Sequence, residues 1–155
     1  MSLAVTSYEW FKAFHVLPAV LWVGTNFAFN VLLARIDVAA DPKGTAKLLR
    51  NIGWVGQRLL APLSLALLIF GFLMVAKLDW DFPAWIVFGL IVWGYSFLAG
   101  AFYVGPRLEP LADQLDAEGY SAAVASKEKT FTLVARAELV LLVLVVLDMT
   151  LKPGA

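Results

Sequence analysis

The sequence predicts an all-α fold: a four-transmembrane-helix bundle with the N-terminus and the C-terminus both on the outer side. Three observations predict it. The chain of 155 residues is 61% hydrophobic, against about 45–50% in soluble domains, and its mean hydropathy is +0.81. Four apolar stretches, roughly 8–34, 54–76, 83–104 and 131–151, each supply about the 20 residues that cross a hydrocarbon core of about 30 Å. Nine of the twelve Lys and Arg residues fall on one side of these stretches: Arg35, Lys43, Lys47, Arg50, Arg58, Arg107, Lys127, Lys129 and Arg136. Lys12, Lys77 and Lys152 fall on the other. The positive-inside rule puts the nine-charge side in the cytoplasm. We therefore expect one integral membrane domain over 1–155, multi-pass in the bacterial cytoplasmic (inner) membrane.

Composition also excludes. Charges balance at 12 against 12, so no basic surplus points to nucleic acid. The chain has no cysteine, which excludes disulfides, iron–sulfur clusters and thiolate metal sites. No phosphate loop, metalloprotease motif or catalytic triad is present, and too few nucleophiles have a base nearby to argue hydrolysis.

The first stretch carries the only histidine, His15. The preceding MSLAVTSYEW lacks the basic n-region and cleavage site of a signal peptide, so this helix is expected to be a retained span. His15 sits about 10 Å inside the outer boundary, at 1.5 Å per residue from Glu9. On a helix, His15, Trp22, Asn26 and Asn30 share one face. Hydrocarbon offers such a polar stripe no hydrogen bonds, so it must face protein, water or a ligand.

The following loop breaks at Asp41-Pro42 and Gly44, and helix is expected to resume before Gly53. Gly53 and Gly56 let a neighbouring backbone approach the second span. Pro62 should kink that span. Trp80 and Trp85 flank the turn between Lys77 and Pro83 as an interfacial aromatic belt. The third span holds Gly89, Gly94, Gly100 and Gly105, read first as close packing and second as room for a flat ligand. Pro106 and Pro110 are expected to end it. Leu108, Leu111 and Leu115 then mark a short amphipathic helix on the cytoplasmic surface, or a solvated loop ending at Gly119.

The fourth span enters with Arg136 and Glu138 and leaves with Asp148, Lys152 and Pro153. Asp148 lies at the depth of His15, so packing could join the two by a hydrogen bond. Asn26, Asn30, Gln57, Arg58, Tyr103, Arg136 and Glu138 lie in the inner leaflet. They read as a polar cavity that binds a propionate or phosphate through the arginines, or as interhelical glue and snorkelling charges.

A histidine inside a span is costly, which makes it a functional candidate. It reads as an axial ligand to haem or another metal centre, as a proton carrier, or as a structural group bonded to a neighbouring helix. With one histidine, a haem would need a second ligand of another type, an open site, or a second subunit. Trp22 and Trp93 sit deep enough to flank a planar ligand.

The run Tyr8-x-Trp10-x-Lys12-Ala13-x-His15, followed by Trp22, resembles the first helix of the HemJ-type protoporphyrinogen oxidases, small bacterial membrane proteins that act late in haem synthesis. The fourth span is similar too, with Arg136, Glu138, a long Val/Leu run and a terminal Lys152-Pro153. Pro62 and Gly71 fit the second span of that pattern. The first helix also resembles copper resistance protein D, where a His accompanies Trp-Val-Gly, here His15 and Trp22-Val23-Gly24. In length and layout the whole chain is similar to a family of bacterial four-helix proteins known only as predicted integral membrane proteins. The HemJ likeness implies a haem or porphyrin role for His15, with Arg136 and Lys152 as functional partners. This chain has Tyr95-Ser96 where the HemJ type tends to have Tyr-His, and Ala137-Glu138-Leu139 replaces its Asn-Glu-x-Pro.

The expected function is therefore a redox or haem-related one. It would bind haem b, another tetrapyrrole or a metal through His15, with Trp22, Asn26, Arg136 and Lys152 as further cofactor-binding candidates. If the chain is an enzyme, the likeness implies an oxidoreductase of protoporphyrinogen oxidase type. Expected partners are the lipid bilayer and either further copies or a larger membrane complex. Two other classes stay open: an accessory subunit or assembly factor, and a small-solute or metal transporter.

Overall fold

The computed structural model describes residues 6–77 and 82–153. Trp80 and the turn around it lie outside the described residues. Six α-helices follow in order: α1 (Ser7–Arg35), α2 (Pro42–Val55), α3 (Ala61–Lys77), α4 (Ala84–Leu98), α5 (Gly105–Glu118) and α6 (Ala122–Leu151). They form four continuous helical rods, each long and apolar enough to cross a membrane. The rods are α1, α2 with α3, α4 with α5, and α6.

The starts obey capping chemistry. Thr6 opens α1 with a capping box: its hydroxyl accepts from the Glu9 N–H, and the Glu9 carboxylate accepts from the Thr6 N–H. Such reciprocal bonds satisfy donors that the first helical turn leaves unpaired. Asp41 caps α2 by accepting from the Gly44 N–H at 2.8 Å, with Pro42 at the first helical position. Gly44 thus lies in the first turn and does not break the chain. Gly119 ends α5 at φ 68°, a backbone region that favours glycine, and Ser121 caps α6.

The prolines behave differently from expectation. Pro106 and Pro110 do not end the third rod, because α5 runs through both. The second and third rods instead each contain a π-turn just before a proline, whereas α1 runs through Pro18 without one. In the first π-turn, spanning Gly56–Leu60, the Ala61 N–H bonds to the Gly56 carbonyl, and Pro62 follows. In the second, spanning Ala99–Val104, the Gly105 N–H bonds to the Gly100 carbonyl, and Pro106 follows. A proline ring in an α-helix clashes with the carbonyl four residues back. Widening the turn by one residue moves the carbonyls off that register, so the helix continues. Gly105 suits the second turn, since a Cβ there would lie 2.9 Å from the Gly100 carbonyl oxygen.

The best-packed core lies outside the spans. Val38, Ala46, Leu49 and Ile52 pack against Leu108, Leu111, Ala112, Leu115 and Val124. This joins α2 to α5 as a cap at one end of the bundle, with Phe131 of α6 packed against it. The expected amphipathic surface segment is therefore half of a packed helix pair, continuous with the span before it. Arg50 clamps the pair from outside, reaching Glu109 at 3.2 Å and Asp113 and Asp116 at 2.7 Å each. Within the spans, only 6–28% of each apolar window is buried in the protein. Lipid is the solvent for the rest, since apolar surface needs no burial against hydrocarbon.

In the spanning region α1 packs against both α3 and α6, and α6 packs in turn against α4. Gly89 gives α4 its close approach to α6, because a Cβ there would run into Met149. Among the described residues, Gly94 and Gly100 have no neighbouring atom within 4 Å of a Cβ position, so they serve no close packing there. The α3–α4 seam is sparser, bridged by the Trp93 indole N–H donating to the Ser64 carbonyl at 3.0 Å.

Candidate functional site

The polar face of α1 drifts by about 60° between residues 15 and 30, because 3.6 residues per turn do not divide the spacing evenly. With α1 packed between α3 and α6, that drift aims its two ends at different neighbours. His15 meets α3, and Asn30 meets α6.

At the His15 end, Nδ1 lies 2.7 Å from the Leu67 carbonyl oxygen. A carbonyl only accepts, so Nδ1 carries the proton and donates. The neutral ring then holds its lone pair on Nε2. Gly71 makes this approach possible: a Cβ on it would stand 3.1 Å from Cε1 and Nδ1 of the ring. Phe14 stacks on Phe70 at 5.2 Å beside the contact. Phe11 reaches the same ring at 6.3 Å.

His15 does not bond Asp148. The carboxylate of Asp148 has one oxygen, Oδ2, that is buried without a hydrogen-bond partner among the described residues. Lys152, in the left-handed conformation that closes α6, holds its ammonium 5.3 Å from the Trp85 ring centroid.

Toward the cap, Trp22 is buried at 7% exposure. The Asn26 amide donates to the Trp22 carbonyl at 3.1 Å. Asn30 donates to the Asn26 carbonyl at 3.0 Å and to the Ala135 carbonyl of α6 at 3.4 Å. Those bonds fix the α1–α6 register and put Asn26 near the level of Glu138, one turn further along α6. Glu138 is 9% exposed.

The inner polar group of the sequence reading is divided. Asn30 joins α1 to α6, Asn26 bonds within α1, and Glu138 is buried on α6. Arg136 points outward and is exposed. Along α6 it stands about 24 Å from Lys152, at 1.5 Å per residue. Arg136 and Lys152 therefore occupy opposite ends of the bundle, and Lys152 shares its end with His15. Tyr103 lies under the Arg107 guanidinium at 3.9 Å. Gln57 and Arg58 line a separate cleft at the cap. Trp93 stacks on Phe97 at 5.2 Å.

Two features carried weak signals in sequence. The His15–Leu67 contact uses a main-chain atom, and only Gly71, a small residue in an apolar run, marked it. The Arg50 clamp had a clearer mark. Glu109, Asp113 and Asp116 recur at helical spacing on one face of α5.

Among the described residues, no three His, Cys, Asp or Glu side chains stand together as a metal-binding group. No curated protein and no solved structure matches the chain. Its helical architecture, its four apolar rods and its match over residues 9–153 agree: the chain belongs to the DUF2269 family of predicted integral membrane proteins.

Proposed function

We propose that this is a multi-pass protein of the bacterial cytoplasmic membrane that binds a haem or another tetrapyrrole through Nε2 of His15, in a redox or haem-related role. The observation that carries the reading is the 2.7 Å bond from Nδ1 to the Leu67 carbonyl. A ligating histidine characteristically donates its other ring N–H to a carbonyl or carboxylate, which fixes the tautomer and the ring plane. Here that donation presents Nε2 as the available ligand. A tetrapyrrole brings four nitrogens of its own and asks the chain for one axial group. A bare ion asks for more donors than stand beside His15.

When bound, the group would supply the electron chemistry. The chain's own residues would hold and orient it. His15 would be the axial ligand, and Lys152, at the same end, the cation for a propionate. Trp22 and Asn26 continue the interior face from His15. Arg136, at the far end, would meet a different anion. The likeness of the first and fourth spans to HemJ-type oxidases supports the same assignment. The cap end carries the nine-charge side of the sequence, which supports a cytoplasmic cap under the positive-inside rule.

The test is the visible absorption spectrum of the detergent-purified protein from a haem-supplied host, oxidised and then reduced, beside His15→Ala. A Soret band that shifts on reduction and is lost in the variant is expected. A protein that stays colourless after added haem and porphyrin would overturn the reading.

A second reading, an accessory subunit of a larger membrane complex, is favoured by Gly94 and Gly100. Both leave open space on the third rod that no described residue fills, and small residues let a second helix approach closely. Crosslinking from Gly94→Cys in native membranes would capture such a partner.

A further inference from the structure

The cap end holds a cleft of about 370 Å³ that the His15 reading does not use. Arg50, Asn51, Trp54, Gln57 and Arg58 form one wall, from α2 and the first π-turn. Glu109 of α5 stands on the other.

The two arginines differ in what they already hold. Arg50 is committed to Glu109, Asp113 and Asp116. That clamp also ties up the Glu109 carboxylate, the acid that faces the cleft. Arg58 lies two turns further toward the span and makes no ion pair among the described residues. Its guanidinium stands 5.8 Å from the Trp54 ring centroid. An aromatic ring takes up the face of a guanidinium and leaves its in-plane N–H donors for an anion.

The depth of Arg58 matters as much as its charge. It stands where the rod changes from the amphipathic cap to the apolar span. An exposed Arg beside an exposed Trp is the pairing that settles at the headgroup level of a bilayer. Phosphate oxygens lie at that level, and Arg binds them with paired N–H donors. Asn51 and Gln57 add amide donors from the same wall.

We infer that this cleft binds a phosphate group, with Arg58 as its main cation and Asn51 and Gln57 as amide donors. The phosphate can belong to an anionic lipid or to a soluble phosphate compound.

The experiment uses the full chain in neutral detergent, with phosphatidylglycerol as the probe and a phosphate-free galactolipid as its control. Lipid retention is read by native mass spectrometry. The variants are Arg58→Gln, and Arg35→Gln, which removes a charge from the same end but outside the cleft. Loss of a charge-assisted bond of this kind should weaken retention about tenfold in Arg58→Gln. Arg35→Gln and the wild type should agree within about twofold. Arg58→Lys should fall between, since Lys keeps the charge without the paired donors. Soluble glycerol phosphate then separates the sources. If it displaces the lipid, the phosphate alone is the ligand; if it does not, the lipid is. Equal retention by Arg58→Gln and the wild type would overturn the inference. So would equal loss in Arg35→Gln, or equal retention of the galactolipid by the wild type. Should Arg58→Gln fail to fold, protection of wild-type Arg58 from phenylglyoxal by phosphatidylglycerol, absent with the galactolipid, decides the question.

Discussion

Gly71 of α3 stands directly against the imidazole of His15 on α1, where a Cβ would lie 3.1 Å from both Cε1 and Nδ1. The same ring is tied to Leu67, one turn earlier on α3. It cannot retreat from Gly71 without loosening that bond. In Gly71→Ala, better helix propensity contributes about 1 kcal/mol. Disturbing a buried hydrogen bond costs about 1–3 kcal/mol. We expect a net fall in thermal stability in detergent and, if haem is bound, an altered Soret maximum. A variant more stable than the wild type would show that the ring moves freely.

The cap should respond as a water-facing core does. Leu115 is 2% exposed and packs among α2 and α6 residues. Leu115→Ala should cost about 2–5 kcal/mol, the usual range for such a truncation. Chemical denaturation and limited proteolysis between α5 and α6 would measure it. An equivalent truncation at lipid-facing Ile91, 65% exposed, should cost far less.

The Arg50 clamp is solvent-accessible, so salt should weaken it. Raising ionic strength should speed amide exchange in α2 and α5 of the wild type. Arg50→Gln should start faster and lose the salt response. A salt response that survives the substitution would place its origin elsewhere.

Glu138 is buried in α6 with no hydrogen-bond or ion-pair partner among the described residues. A carboxylate held that way does not stabilise the fold. Glu138→Gln should therefore leave the melting temperature unchanged or raise it. A clear fall would show that the carboxylate has a partner, in a second subunit or a ligand.

The four spans were legible because the bilayer requires about 20 apolar residues per crossing, a signal that survives without any knowledge of packing. The membrane family was legible from length and layout. Helix continuity was not. Pro106 and Pro110 are local stop signals, and the π-turn that accommodates Pro106 leaves no residue type of its own. Gly119 as the stop of α5 was legible, because a positive φ calls for glycine. At the site, the stripe from His15 to Asn30 could be read from spacing. Its division between two neighbours could not, since it depends on which helices flank α1. The glycines of α4 looked alike in sequence, yet only Gly89 meets another helix closely.

The paired π-turns also fix how the cap is set upon the spans. Each inserts one residue, and one residue is about 100° of helical rotation. α2 is thus swivelled relative to α3, and α5 relative to α4, by the same increment at the same height. If one insertion were lost, the apolar stripe of its cap helix would swing away from its mate while the span below stayed in place. The closed cap therefore depends on both insertions at once: losing either turns one apolar stripe out of the shared core, and losing the second turns the other out as well.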